Sequence, residues 1–252
     1  MATISPPPPL AEGPTGLAAF RAALPPGTGD SAVADRLCAL GTTAVLERGQ
    51  ELPPDPVEDR LVWIASGAAK LVVPLAPGAA AAAAGVSASQ VLAFHFAGDL
   101  VSVLRRRDAD FRLIGLGDCA LVIFPAEAFL DIAQGQPEVL RSVLSRSLQA
   151  LHRSRTRMMQ MGHKSAQQRI ADFLVSMAER LADCTQGACA FSLPMSRRDI
   201  GDSLGLTIET VSRQLTELRE AGLVETEGRS KVRLSNIGAL AKMAGRARDP
   251  TS

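Results

Sequence analysis

The chain has 252 residues, with 27 Lys and Arg against 26 Asp and Glu, so its formal net charge is only +1. This balance excludes a chain-wide basic surface, and a nucleic-acid site would have to carry its positive charge locally. No apolar run is long enough to span a bilayer, and "MATISPPPPL" lacks the regions of a signal peptide. Four cysteines do not make a disulfide framework at this length. We therefore expect a cytoplasmic globular protein with no membrane partner.

The first half of the chain divides into a Pro-rich segment and a strand-rich segment. Residues 1–34 contain "SPPPPL" and "LPPGTGD", a composition that predicts a flexible arm. Residues 35–134 alternate short apolar runs with turn signals, which predicts a small β sandwich or barrel, and residues 77–90 are predicted to form a loop. The clearest turn signals are Ser66-Gly67, Gly98-Asp99 and Gly117-Asp118.

A long helix is predicted for residues 135–162, with Pro137 in its first turn. Along this helix, one set of residues recurs at alternating steps of four and three, as in the a/d seam of a coiled coil. The set consists of Leu144, Leu148, Leu151, Arg155 and Met158. The pattern favours a dimer interface in which Leu144, Leu148, Leu151 and Met158 meet a second copy. The alternative is a helix that packs inside one chain.

Residues 163–252 carry the signals of a winged helix-turn-helix. Ser196 and Asp199 make an approximate capping box for one helix, Gly205 ends that helix, and Thr207 can cap the next. The stretch "LVETEGRSKVRL" after the second helix predicts two short strands that form a wing.

The second of these helices has a polar face as well as an apolar one. Glu209, Ser212 and Arg213 share the polar face near its N-terminal end, where a helix-turn-helix meets base edges. Arg can donate two hydrogen bonds to guanine, and Glu can accept one from cytosine. The alternative is a solvated face with an ordinary ion pair between Glu209 and Arg213. Residues suited to contact the DNA backbone or to support the readers are Arg197, Arg198, Thr207, Thr210, Thr216, Arg229 and Lys231.

The stretch "MSRRDIGDSLGLTIETVSRQL" resembles the DNA-binding signature of the CRP/FNR transcription regulators, specifically the FNR/FixK branch. The cyclic-AMP branch has Arg where this chain has Ile208 and Gly where it has Ser212. The resemblance implies an α+β fold: a cyclic-nucleotide-binding-like β-roll, a long dimerisation helix and a winged helix-turn-helix. It further implies a homodimer that binds a palindromic TTGAT-like site on double-stranded DNA through Glu209, Ser212 and Arg213. Activation through RNA polymerase is also implied.

The same resemblance raises the question of a cyclic nucleotide. Family members that bind one hold its phosphate with a Gly-Glu pair and, about ten residues later, an Arg-Ser pair. This chain has Gly98 and Asp99 at the first place, and Ala109 and Asp110 at the second. A carboxylate there would repel a phosphate. We therefore expect no cyclic nucleotide.

Other cofactors and an enzymatic role find little support. Residues 1–37 contain no cysteine, and Cys119 alone cannot replace the four thiolates of an iron–sulfur cluster. Haem on His95 is a minor alternative to a packed histidine. Cys184 and Cys189 are a candidate redox switch, with idle thiols in a surface loop as the alternative. No catalytic motif or metal site is recognised, so we expect no enzyme; a protein-interaction module that does not bind DNA is the rival class.

Overall fold

The computed structural model describes residues 16–74, 89–103, 111–228 and 230–246, apart from the side chains of residues 158, 160 and 161. These residues divide into two compact units, 16–154 and 155–246. Most of the predicted loop, together with Ala109, Asp110, Arg229 and the Met158 side chain, lies outside the described residues. Each helix in the described part of the chain is too short or too polar to cross a membrane.

The N-terminal unit is built around two antiparallel sheets. Their strand orders are β1-β7-β2-β5 and β4-β3-β6. Residues from both sheets, among them Val62, Leu113 and Leu121, are fully buried in one hydrophobic cluster between them. This arrangement is a β-roll, as predicted. The strands are β1 (Thr42–Leu46), β2 (Arg60–Ser66), β3 (Ala68–Pro74), β4 (Ser89–Phe96), β5 (Leu100–Val103), β6 (Arg112–Gly115) and β7 (Cys119–Pro125).

The turn predicted at Ser66-Gly67 joins β2 to β3. Gly67 has a φ of +77°, and a Cβ there would lie 2.2 Å from the carbonyl oxygen of Asp118. Both the backbone conformation and the close approach therefore require glycine.

The prediction of a flexible arm is wrong for residues 16–34, because two helices lie there or begin there. Helix α1 (Gly16–Ala22) buries Phe20, whose ring centroid lies 4.8 Å from that of Phe124. Helix α2 (Ala32–Leu40) is capped by Ser31, whose hydroxyl accepts a hydrogen bond from the Ala34 amide at 3.2 Å. Burial of a Phe side chain contributes roughly 1.5–3 kcal/mol, which offsets the disordering tendency of the surrounding Pro and Gly.

Two helices follow the strands, α3 (Ala126–Ala133) and α4 (Pro137–His163), and the last residues of α4 belong to the C-terminal unit. The first turns of α4 pack on the aromatic cluster around Trp63, with Val139 buried and Val143 partly buried. Arg146, two turns further on, donates a hydrogen bond to the carbonyl of Gly98. One face of α4 is therefore fixed to the β-roll.

The C-terminal unit is a winged helix-turn-helix, as predicted. Its elements are α5 (Ala166–Ala182), β8 (Cys189–Ser192), α6 (Arg197–Leu204), α7 (Ile208–Glu220), β9 (Val224–Glu227), β10 (Lys231–Leu234) and α8 (Ile237–Met243). The sheet order is β8-β10-β9, with Lys231 opposite Ser192 on one side and Glu227 on the other. The sequence predicted only the two wing strands, so β8 is an addition.

Candidate nucleic-acid interface

The turn between α6 and α7 is set by local signals. Ser196 and Asp199 form the predicted capping box: the Ser196 hydroxyl accepts from the Asp199 amide at 3.1 Å, and Asp199 accepts from the Ser196 amide at 2.8 Å. Gly205 ends α6 in the left-handed conformation, with a φ of +63°. A Cβ at Gly201 would lie 2.6 Å from the Leu206 carbonyl oxygen, so the close return of the chain also depends on this glycine. Sequence reasoning missed Gly201.

Helix α7 begins at the predicted cap and buries part of its apolar face. The Thr207 hydroxyl accepts from the Thr210 amide at 3.2 Å and lies 3.1 Å from the Thr210 hydroxyl. Val211 and Leu218 are fully buried. These two side chains fix which face of α7 remains available to a ligand.

Glu209, Ser212 and Arg213 lie away from that buried face. Glu209 and Arg213 are exposed, and Ser212 is half-buried. The pKa of Glu209 is lowered, first by a hydrogen bond from its own backbone amide, then by the Thr207 hydroxyl and the Arg198 guanidinium. Glu209 is therefore an ionised acceptor at neutral pH, which suits it to a base amino group.

Two contacts hold the other predicted readers. Arg197, at the start of α6, donates from Nη1 to the Ser212 hydroxyl at 3.3 Å. Arg213 lies with Nε 3.8 Å from Oε1 of Glu217. The i, i+4 pair considered from the sequence joined Arg213 to Glu209, and the structure instead pairs it with Glu217. Sequence reasoning missed Glu217, although its spacing from Arg213 was the available signal.

The wing carries cations that face carboxylates across its two strands. Lys231 Nζ lies 3.3 Å from Oε1 of Glu227, and Arg233 Nη1 lies 3.3 Å from Oε2 of Glu225. Arg198 is exposed at the start of α6, and Thr216 is half-buried on α7. The predicted backbone contacts of the wing would therefore compete with ion pairs that already exist.

Comparison with known proteins supports a DNA-binding class. Residues 168–243 match the family described as a Crp-like helix-turn-helix domain. The nitrogen fixation regulation protein FixK of Azorhizobium caulinodans is 30% identical over 209 residues, which cover 82% of this chain and 81% of that protein. The chain belongs to the CRP/FNR family of transcription regulators.

Further relatives agree with this assignment. A probable transcriptional activator of Rhizobium leguminosarum bv. viciae is 32% identical over 154 residues, or 61% of this chain and 64% of that protein. The structure of FixK2 from Bradyrhizobium japonicum has a TM-score of 0.68 at 27% identity, and covers 82% of this chain and 99% of that one. The predicted fold, and the prediction of a DNA-binding regulator rather than an enzyme, are confirmed.

In this CRP/FNR protein, the turn at the expected phosphate-binding place uses its carboxylate internally. Asp99 Oδ2 accepts from the Phe96 amide at 3.0 Å and lies 3.6 Å from Nδ1 of His95. His95 is buried, as the packed-histidine interpretation expects. The haem alternative stays a prediction, as does the absence of a cyclic nucleotide. Among the described residues, no group of three or more His, Cys, Asp or Glu is placed to hold a metal ion.

The four cysteines of the CRP/FNR chain form no disulfide bond, and Cys119 and Cys189 are buried. Cys189 lies in β8 rather than in a surface loop, which corrects one alternative from the sequence. Burial, and secondarily a hydrogen bond with Cys184, raises the pKa of Cys189 to about 12. Burial raises the pKa of Cys119 to about 11. Both thiols are protonated at neutral pH and are therefore poor nucleophiles.

Proposed function

We propose that this CRP/FNR protein binds a palindromic TTGAT-like site on double-stranded DNA as a homodimer, and activates transcription through RNA polymerase in the cytoplasm. The observation that carries the proposal is the polar face of α7. Glu209, Ser212 and Arg213 lie at the N-terminal half of this helix, opposite buried Val211 and Leu218. That end of a recognition helix meets base edges in the major groove.

Each reader has a chemical role in this proposal. The Arg213 guanidinium would donate to O6 and N7 of a guanine, and the ionised Glu209 carboxylate would accept from the amino group of a cytosine or adenine. Ser212, already bonded to Arg197, would donate or accept at a third base. Arg198 and the wing residues Arg229 and Lys231 would hold phosphates, which positions the helix without reading sequence.

The dimer is supported by the outer face of α4. Leu144, Leu148 and Leu151 are 60%, 55% and 45% exposed, although their spacing places them on one stripe. An apolar stripe of this kind is typical of a helix that packs against a second copy. Dimerisation would place two recognition helices about 34 Å apart, one turn of B-DNA. Met158 would extend the same interface.

The proposal includes no response to a cyclic nucleotide. Asp99 is committed to its own turn, and Asp110 stands in the sequence where a phosphate-binding member has a hydroxyl. Calorimetry with cyclic AMP and cyclic GMP should show no saturable binding. Micromolar binding of either nucleotide would contradict this part of the proposal.

The base-reading proposal is tested by comparing Arg213→Ala with Lys231→Ala. A set of duplexes carries the palindromic site and each single-base variant of it, and the Kd of each is measured at two salt concentrations. Arg213→Ala should weaken the full site and flatten the preference at the guanine, a loss of about 1–3 kcal/mol of discrimination. Lys231→Ala should weaken all duplexes alike and lower the salt slope by about one.

Equal weakening of every duplex by Arg213→Ala would make Arg213 a phosphate contact, and the base-reading role would be wrong. Absence of any sequence-selective, salt-sensitive binding by the wild-type protein would favour the protein-interaction alternative.

A further inference from the structure

The ion pair between Arg213 and Glu217 joins two exposed residues on α7. Their side chains are 67% and 43% exposed, and the closest atoms, Nε and Oε1, are 3.8 Å apart. An exposed i, i+4 pair adds little to helix stability, because water and salt screen it. The pair therefore contributes little to folding, and one of its members, Arg213, is a predicted base reader.

The atoms in this contact leave the useful end of the guanidinium available. Glu217 faces Arg213 at Nε, on the side of the stem. The end-on contact with O6 and N7 of guanine uses the two terminal Nη nitrogens. A carboxylate at Nε can thus restrict the planar group without competing for the donors that read the base. Holding such a group in one orientation reduces the rotamer freedom that is lost on binding.

We propose that Glu217 is a specificity-determining residue that positions the Arg213 guanidinium for guanine and reduces binding to DNA that lacks this guanine. The inference rests on the proposed base-reading function. The positioning part follows from the contact at Nε. The reduced binding to DNA that lacks the guanine follows from charge. Without Glu217, the Arg213 guanidinium would increase the affinity for any DNA by attracting its phosphates. The Glu217 carboxylate offsets this positive charge and repels the DNA backbone.

The wing offers a matched comparison, since its Lys231 is paired with Glu227 at 3.3 Å. A lysine ammonium is a point charge with no planar fork to orient. Removal of the Glu227 charge should therefore increase affinity for every duplex by a similar factor. Removal of Glu217 should instead change the preference for the guanine-containing duplex, because the planar guanidinium of Arg213 must be oriented to donate to guanine.

The experiment measures Kd by fluorescence anisotropy for the TTGAT-type palindrome and for the same duplex with the guanine pair replaced. The proteins are the full-length wild type, Glu217→Ala, Glu217→Gln, Glu227→Gln, Arg213→Lys and the double variant Arg213→Lys/Glu217→Ala. Circular dichroism confirms that each variant is folded. Glu217→Ala should lower the preference for guanine by about fivefold, partly through tighter binding of the replaced duplex.

Glu217→Gln separates the two parts of the inference. Its amide oxygen would lie where the carboxylate oxygen lies beside Nε, but without the negative charge. Glu217→Gln should therefore keep most of the guanine preference while it binds the replaced duplex more tightly than wild type does. In the Arg213→Lys background, Glu217→Ala should leave the preference unchanged. Glu227→Gln should tighten both duplexes equally.

Three results would overturn the inference. The first is tighter binding of both duplexes by the same factor in Glu217→Ala, which would leave Glu217 with a general electrostatic effect. The second is a guanine preference in Glu217→Gln as low as that in Glu217→Ala, which would remove the positioning role. The third is an effect of Glu217→Ala on the guanine preference in the Arg213→Lys background. Failure of the proposed function gives a different result. In that case the wild-type protein shows no preference for the duplex with the guanine pair, or Arg213→Lys has the same preference as the wild type.

Discussion

Arg197 and Ser212 are joined across the turn of the helix-turn-helix by a hydrogen bond of 3.3 Å from Nη1 to the hydroxyl. The sequence predicted Arg197 as a backbone contact and Ser212 as a base reader, and treated them separately. The bond connects the two predicted roles, because a guanidinium that contacted a phosphate from this position would also orient the Ser212 hydroxyl.

The first prediction concerns this bond. Arg197→Ala should weaken binding to every duplex and also reduce the preference at the base that Ser212 reads, because the hydroxyl loses its donor. Arg197→Lys keeps the positive charge and should therefore restore much of the general affinity. It lacks the planar guanidinium, so it should not restore the preference at the base that Ser212 is predicted to read. Titration of single-base-variant duplexes distinguishes the two effects. An unchanged preference pattern in Arg197→Ala would leave Arg197 with a phosphate role alone.

The sequence predicted the helix-turn-helix well because its signals are local. The capping box at Ser196, the glycine at Gly205 and the cap at Thr207 each act within four residues. Strand β8 was missed for the opposite reason. Its four residues have no alternating pattern, and their strand conformation depends on pairing with β10, about forty residues later in the chain.

Two other differences have physical causes that composition and spacing do not show. The arm was predicted from its Pro and Gly, but Phe20 and Leu37 are buried and fix α1 and α2 to the sheet. Arg213 has a carboxylate four residues away on each side, and spacing cannot choose between them. Glu209 lies in the first turn of α7, where its own amide and Thr207 lower its pKa, and the ion pair forms with Glu217.

The second prediction tests the proposed dimer interface on α4. Leu148→Glu places a carboxylate in the middle of the exposed apolar stripe, so a dimer would have to bury an unpaired charge. The variant should sediment as a folded monomer and lose affinity for the palindrome. Leu130→Glu is a matched control, because Leu130 is also exposed, at 41%, but lies on α3. A dimeric Leu148→Glu protein would show that the interface lies elsewhere.

The third prediction concerns the end of the C-terminal unit. Arg246 donates from Nε to Oδ1 of buried Asp172 at 2.6 Å and from Nη1 to Glu179 at 2.6 Å, and so ties the chain after α8 to α5. Arg246→Ala should lower the free energy of unfolding of this unit by about 1–3 kcal/mol, because Asp172 loses a charged partner. Lys164, at 3.4 Å from Asp172, should limit the loss.

Urea denaturation followed by circular dichroism measures this change. Lys242→Ala, which removes a cation from the neighbouring helix α8, is the control and should have little effect. Equal stability of the wild type and Arg246→Ala would show that the bonds to Asp172 and Glu179 contribute nothing net.

The last prediction concerns alkaline pH and Cys119. Burial raises the pKa of this thiol from 9.0 to about 11, so the folded state keeps its proton where the unfolded state loses it. The stabilisation is complete below pH 9 and is lost as the pH rises towards 11. From pH 8 to 11 the wild type should lose about 2 kcal/mol more stability than Cys119→Ala, which has no thiol at this position.

Trp63, the only tryptophan, is buried in the same unit and reports its unfolding by fluorescence. Cys184→Ala, altered in the other unit, should follow the wild type across this range. The cavity left by Cys119→Ala lowers stability at every pH and therefore does not alter the slope. Parallel pH profiles for the wild type and Cys119→Ala would show that the thiol does not contribute to alkaline unfolding.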